Sequence, residues 1–350
     1  MSEGNNLVGV DIGSSSIKVC QIRESRKGVG LLRLGYAPLP AQTIVDGHVM
    51  NTGAVVEALN KIFHDNKIKQ RSVALSVSGQ SAIIRKITVP MMTLDELDEQ
   101  IQWEAEQHIP FDIKDVQIDY EILRRRPEAG QMDLLLVAAK RDELTDYAQI
   151  ARDAKLKPLV IDIDAFTVQN IFELSRGLPQ DQTIALINVG ASLSTLNVIA
   201  HGISAFTRDI AHGGNAITEE LHKQLSVPFE TAEEFKYNVT SGTVPARAVE
   251  IIESVCDAIA AEIQRSLDFF MATSGEGEVS RVYVTGGSAV LPNLLAAIER
   301  RSRVPVEVFW PTEKLTIEAR EVDAELLQRR AAQLAVALGL AMRKEREKRS

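Results

Sequence analysis

The sequence predicts an α/β protein of two related lobes, the first carrying an inserted α/β module. Two look-alike segments stand far apart in the chain: Gly9-Val10-Asp11-Ile12-Gly13-Ser14-Ser15-Ser16-Ile17-Lys18 and Ile187-Asn188-Val189-Gly190-Ala191-Ser192-Leu193-Ser194. Aligning Asp11 on Asn188 sets them 177 residues apart. Short apolar strand runs alternate with helically spaced stretches in both halves, the pattern of α/β architecture. A helix–strand–strand–helix–strand block at about residues 86–160 interrupts the first half.

The bulk properties narrow the class. At 350 residues the chain suits two lobes or more. Its 45% hydrophobic and 25% charged residues, with 21 glycines and 12 prolines, are those of a globular protein, not a collagenous or disordered one. A net charge of −9 without a long basic stripe argues against nucleic-acid binding. Cys20 and Cys256 lie in apolar stretches, which predicts a reducing compartment and no disulfide framework. Residues 1–6 lack a signal-peptide pattern, and no apolar run approaches the roughly 18–20 residues of a membrane span. The expected location is therefore the cytoplasm.

Taken in order, residues 7–13 and 16–23 read as two strands around a Gly13–Ser15 turn, and 30–37 as a third. Val55, Val56, Leu59, Ile62 and Phe63 have helical spacing within 51–66. Residues 73–77 and 83–89 are strands separated by a turn at Ser78-Gly79-Gln80, the second stopped by Pro90. Thr93-Leu94-Asp95-Glu96 is a capping box opening a helix to about His108. Strands at 116–123 and 132–139 flank a polar loop, 124–131, that takes in Arg124-Arg125-Arg126. A helix over 142–154, a strand over 159–163 and a helix from Asp164 to about Leu174 follow. The second hairpin is 184–189 and 194–201, and Gly213-Gly214 opens a helix through Leu225. A long helix covers 246–271 with Ile251, Ile252, Val255, Ile259, Ile263 and Leu267 on one face. Strand 281–285 ends at Gly286-Gly287, Pro292 starts a helix, and 304–309 is a last strand. An alanine-rich helix over 324–343 precedes a mixed-charge tail, 343–350.

The chemistry concentrates in the two look-alike turns. Each has almost no side chains, so its backbone N–H groups can face an anion, and one turn per lobe suits a phosphate chain gripped from both sides. A carboxylate at Asp11 would repel phosphates directly but can hold a hydrated Mg²⁺ that bridges to them. Lys18 can reach back over the turn as a point charge. Against this stands a plain turn aspartate and a solvated strand lysine; the Asp-Ile-Gly-Ser-Ser setting favours function. Gly190-Ala191-Ser192 is the partner turn. Thr285-Gly286-Gly287-Ser288 ends a strand with two glycines, where a flat nucleoside ring can approach the backbone, or an ordinary strand-to-helix turn can form. Glu233 and Lys236 are three apart on one helical face, either a ribose-holding pair or an exposed ion pair worth a few tenths of a kcal/mol. The six histidines show no metal spacing, and His212 and His222 read as structural or surface residues. Gly28-Val29-Gly30 does not continue into a dinucleotide fingerprint, and no Gly-x-x-x-x-Gly-Lys-Ser/Thr loop occurs.

Together these residues resemble the actin-like ATPase superfamily, whose fold is a pair of RNase H-like lobes. Gly13, Ser14, Ser15, Ser16 and Lys18 resemble its first phosphate motif, with Asp11 at the magnesium position. Gly190, Ala191 and Ser192 resemble the second phosphate motif, and Gly286, Gly287 and Ser288 the adenosine motif. Glu233 and Lys236 match the ribose pair, and Gly213 and Gly214 the glycine pair near the phosphates. The inserted block sits where FtsA carries its distinctive subdomain. Three runs are similar to the PilM family of type IV pilus assembly proteins across nearly the whole chain: Thr88-Val89-Pro90 through Glu104 to Phe111, Asp162-Ile163-Asp164-Ala165-Phe166, and 335–341.

The resemblance implies first-lobe core segments 1–85, 160–180 and 315–350 (subdomain 1A) and an inserted FtsA-type subdomain 86–159 (1C). The second-lobe core is 181–211 with 280–314 (2A), and its helical subdomain is 212–279 (2B). It implies ATP or ADP with Mg²⁺, and a scaffold role in the pilus inner-membrane complex, with other inner-membrane components and the assembly motor as further contacts. The partner would be the short cytoplasmic tail of a PilN-like membrane protein, held in a groove between 1A and 1C. Two departures matter. Asn188 stands where the second phosphate motif carries an acid, so binding is better supported than fast hydrolysis. The tail lacks the apolar anchor of FtsA-like division proteins, so recruitment to the inner membrane would run through a partner, without direct insertion. The alternatives are an FtsA-like division filament and a small-molecule kinase of the same fold with Asp164 or Asp209 as base.

Overall fold

The computed structural model describes residues 3–26, 28–45, 47–78, 82–318 and 320–346; of the turn expected at 78–80, Gly79 and Gln80 lie outside them. Two sheets form the body. The first runs Lys157–Ile163, Ser72–Val77, Val8–Ile12, Ser16–Ser25, Gly28–Pro38 and Thr316–Ile317. The second runs Ile203–Ile210, Ser194–Ala200, Thr183–Val189, Val279–Thr285 and Val306–Val308. Each lobe has its third, second, first, fourth and fifth strands side by side in that order. In both, the first three are antiparallel and the last two run parallel to the first.

The correspondence reaches single hydrogen bonds. Gly13 N–H donates to the Ser16 carbonyl at 3.2 Å, and Gly190 N–H donates to the Leu193 carbonyl at 2.9 Å. Asp11 pairs with Lys18 across the first hairpin, and Asn188 with Thr195 across the second. Both pairs and both turn bonds keep the 177-residue offset of Asp11 from Asn188.

Two helices cross between the sheets, Asp164–Arg176 and Ala335–Ala341. Their apolar faces, including Val168, Ile171, Phe172, Leu338 and Leu340, share one core with Cys20 and Leu34 of the first sheet and Leu186 and Ile199 of the second. Two close approaches require glycine there. A Cβ on Gly339 would stand 1.9 Å from the Thr167 carbonyl oxygen, and one on Gly9 would stand 2.0 Å from that of Ala337. Each lobe also has an outer core. Helix Thr52–Asp65, capped by Asn51 accepting from Ala54 N–H at 3.1 Å, seals the first. The 29-residue helix Ala246–Ser274, about 43 Å long, seals the second.

The inserted module is a three-stranded antiparallel sheet with Gln131–Lys140 between Ala82–Pro90 and Val116–Arg126. Helix Leu94–Glu106 covers it, opened by the expected capping box: Thr93 N–H donates to Glu96 Oε2 at 2.7 Å and Glu96 N–H to Thr93 Oγ1 at 3.3 Å.

Four expectations are corrected. Helix Arg141–Asp153 packs Tyr147, Ile150 and Ala151 into the first lobe's outer core, and Lys157–Ile163 is a strand of the first sheet. The module's own sheet and core therefore end near residue 140 rather than 159. Arg124–Arg126 are not a loop but the end of a strand, where the Arg126 guanidinium meets buried Asp133 at 2.6 Å; the turn is Pro127–Ala129. The alanine-rich helix is broken into Ala324–Arg330, a tight turn Ala331–Leu334 and Ala335–Ala341. Its end becomes a strand, Lys344–Arg346, paired with Glu3–Asn6 and tied down where Arg343 Nε meets Asp162 Oδ2 at 2.6 Å.

Candidate functional site

The first turn is a compact charged unit. Lys18 Nζ lies 3.2 Å from Asp11 Oδ2 and donates to the Ser16 carbonyl at 3.3 Å, so it folds back over the turn as its position suggested. A Cβ on Gly13 would stand 3.0 Å from that ammonium. Ser14 is half-buried, Ser15 is exposed with its carbonyl accepting from Leu39 N–H at 2.9 Å, and Ser16 is buried.

The second lobe gathers the remaining candidates around its own turn. Gly214 N–H donates to the Gly190 carbonyl at 2.9 Å and Asn215 N–H to that of Ala191 at 2.8 Å. This docks the glycine pair on the turn and places the start of helix Gly214–Leu225 there. Glycine is needed at Gly213, where a Cβ would meet the Ala191 backbone oxygen at 2.5 Å; one on Gly214 would meet Ser288 Oγ at 2.2 Å and push that hydroxyl aside. Gly286 sits at φ +97° with its would-be Cβ 2.5 Å from the Val189 oxygen, so the Thr285–Ser288 turn leans on the hairpin that ends at Gly190. Ser192 is half-buried, and the Gly287 Cβ position lies 3.6 Å from Gln333 Nε2.

Glu233 and Lys236 sit on helix Phe229–Tyr237, and their pairing is not an exposed one. Lys236 is 3% exposed and pairs with Glu233. It also donates to Thr218 Oγ1 at 2.8 Å and to the Gly214 carbonyl at 3.3 Å, and the Thr218 hydroxyl donates to Glu233. Burial holds the Lys236 ammonium below its ordinary value, with Glu233 pulling the other way. Thr218 was missed in the sequence, although it stands one helical turn beyond Gly214.

Asp164, at the start of a crossing helix, feels the carboxylates of both lobes. Burial pushes its carboxyl up to about 7, Asp11 of the first turn and Asp209 of the second sheet add to the rise, and hydrogen bonds from Ser76 and Ser78 oppose it. Asp209 is the strand partner of Thr195 on the second hairpin.

The residues present fit a nucleotide with one magnesium anchor. The glycines leave room only for backbone at both turns, and of the two hairpin pairs only the first, Asp11 with Lys18, is charged. Among the described residues no group of three or more His, Cys, Asp or Glu could hold a metal, so an ion at Asp11 would take water and phosphate for much of its shell.

A second concavity, of about 500 Å³, lies on the inserted module. Ile101, Ile113, Val116, Ile118 and Tyr120 line it together with the charged Asp98, Lys114, Asp119 and Arg141. It runs beside Val116–Arg126, an outer strand of the module's sheet.

The comparisons with known proteins follow this geometry. The family described as type IV pilus assembly protein PilM matches residues 9–345. The chain is similar to a solved PilM–PilN type IV pilus biogenesis complex, with 26% identity, a TM-score of 0.86, and 99% of this chain and 100% of that one covered. It is 22% identical to cell division protein FtsA of Neisseria meningitidis serogroup B (strain ATCC BAA-335 / MC58), over 87% of this chain and 83% of that protein. An MreB protein of Spiroplasma citri bound to AMPPNP shares the fold alone, at 11% identity and a TM-score of 0.54, covering 96% of this chain and 95% of that one. The fold is that of the actin-like ATPases. Among the described residues no helix is long and apolar enough to cross a membrane.

Proposed function

This chain belongs to the PilM family of type IV pilus assembly proteins, and on that premise we propose that it is a nucleotide-binding scaffold of the pilus inner-membrane complex. The observation that carries the nucleotide half is the convergence of the Gly190, Gly214, Ser288 and Lys236 positions around backbone-only turns, opposite a first turn armed with Asp11 and Lys18. ATP or ADP lies between the turns, with its ribose toward Glu233 and Lys236 and its base toward Gly286, Gly287 and Ser288. Asp11 would hold a Mg²⁺ through water, which would supply the charge that lets phosphates approach that carboxylate. Asn188 donates and accepts but takes no proton, so turnover is slow or absent.

The partner is the short cytoplasmic tail of a PilN-like membrane protein, which recruits the scaffold to the inner face of the inner membrane. A tail in extended form gains backbone hydrogen bonds along an outer strand and alternate side-chain pockets. The concavity beside Val116–Arg126 offers both, with Arg141 reaching in from the first-lobe helix.

Nucleotide biases the closure of the lobes, and through it the groove. The support is a bridge: Glu276, just past the long second-lobe helix, lies 3.2 Å from Lys86 of the module and 3.4 Å from His201 of the second lobe. Peptide affinity measured with and without ATP in the wild type, Lys86→Glu, Glu276→Lys and the double exchange tests this. The single variants are expected to flatten the nucleotide dependence and the double exchange to restore it. Wild-type affinity identical with and without ATP removes the coupling.

A further inference from the structure

Two segments that adjoin different parts of the nucleotide cradle meet in one cation–aromatic contact, and a third feels its charge. Tyr36 is the register partner of Lys18 on the neighbouring first-lobe strand. Arg330 ends the helix Ala324–Arg330, two residues before Ala332, whose carbonyl accepts from Thr285 Oγ1 at 2.9 Å and from Gly286 N–H at 2.7 Å. Tyr237 directly follows Lys236, whose ammonium stands 5.0 Å from the Tyr237 ring centre. The Arg330 guanidinium lies 4.6 Å over the Tyr36 ring. The same cation acts on Tyr237: burial pushes that phenol up to about 12, Glu233 adds, and Arg330 pulls it back. The contact therefore joins the first sheet to the crossover segment, and its cation acts electrostatically on the second-lobe helix Phe229–Tyr237.

We propose that Arg330, seated over the Tyr36 ring, is a nucleotide-positioning residue that closes the nucleoside side of the cleft and sets how long the nucleotide stays. The proposal rests on the nucleotide-binding reading above. Stacking uses the face of the guanidinium and leaves its edge N–H donors for an anion or a ribose hydroxyl. A lysine keeps the charge but not the planar stack, and a phenylalanine at Tyr36 keeps the ring.

The test is the release rate of a fluorescent mant-ADP from the full chain, with amide hydrogen exchange of residues 229–237 in the nucleotide-free protein as a second readout. Arg330→Ala and Tyr36→Ala are expected to speed release about five- to tenfold and to raise exchange in that helix. Arg330→Lys should fall between, and Tyr36→Phe should match the wild type. Unchanged release in Arg330→Ala, or a Tyr36→Phe variant as fast as Tyr36→Ala, overturns the proposal. If the alanine variants do not fold, the Lys and Phe variants decide it by the same pattern. A wild type that takes up no mant-ADP refutes the nucleotide reading instead. The exchange measurement then still judges the contact, and equal exchange in wild type and Arg330→Ala overturns it.

Discussion

The two hairpins share a backbone and differ in charge. Both close with the same glycine N–H to carbonyl bond and hold the same register. The first carries Asp11 against Lys18 where the second carries Asn188 against Thr195. One turn farther from the tip, Cys20 packs into the central core. Its counterpart Asn197 donates to Gln169 at 2.9 Å and to the Ala165 carbonyl at 3.4 Å, pinning the crossing helix Asp164–Arg176 to the second sheet. The duplicated part is the anion cradle, which needs only backbone. The part that is not duplicated is the cation chemistry, which needs one carboxylate and one ammonium. On the proposed reading, a molecule built this way would hold a phosphate chain from both sides but anchor its metal from one.

The largest expected effect breaks the comparison at Gly9, whose counterpart at the same offset is the larger Leu186. Gly9→Ala forces the crossing helix off the first sheet and should destabilise by about 3 kcal/mol, read as a lower urea midpoint. A midpoint within error of wild type would mean that the helix can shift freely.

Next is Asp164, which lies between the two halves. Its carboxyl is raised from 3.8 to about 7, so the folded state holds the proton more tightly than the unfolded chain. The stability from this group is full below about pH 4 and is lost as pH rises through about 7. Asp164→Asn should therefore gain on wild type by roughly 2 kcal/mol between pH 5 and pH 8, in unfolding free energy measured at both. A constant difference across that window contradicts the assignment.

Asn188→Asp makes the two hairpins alike. It should raise magnesium-dependent phosphate release about tenfold, equivalent to roughly 1.4 kcal/mol of barrier; an unchanged rate would show that the second-hairpin amide is not what limits turnover. The smallest effect concerns the counterpart helices. Asn51 caps the first-lobe helix by its side chain, whereas the long second-lobe helix starts at Pro245 without a side-chain cap. Asn51→Ala should cost about 1 kcal/mol in thermal unfolding, with no comparable loss for Pro245→Ala.

The hairpins, the glycine pair and the Glu233–Lys236 face were legible because each is a local pattern. A turn stripped of side chains, or two residues three apart on a helix, leaves its mark within ten residues of chain. What was not legible depends on distant partners. Residues 324–343 have alanine-rich helical propensity throughout. The helix nonetheless breaks at Ala331–Leu334, where the chain crosses back to the first lobe and the Ala332 carbonyl serves Thr285 and Gly286. Arg124–Arg126 look like a basic loop until Asp133 on the neighbouring strand is seen to hold Arg126. Lys236 looks solvated until Gly214 and Thr218 close over it. Tyr36 and Arg330 carry no local signal at all, since they meet across 294 residues of sequence.

The most direct measurement is isothermal titration of the purified protein with ATP, with and without Mg²⁺, alongside Asp11→Ala and Asn188→Ala. A one-sided metal anchor predicts wild-type binding strengthened by Mg²⁺, that strengthening lost in Asp11→Ala, and that strengthening kept in Asn188→Ala. No wild-type binding, or equal loss of the magnesium effect in both variants, would contradict it.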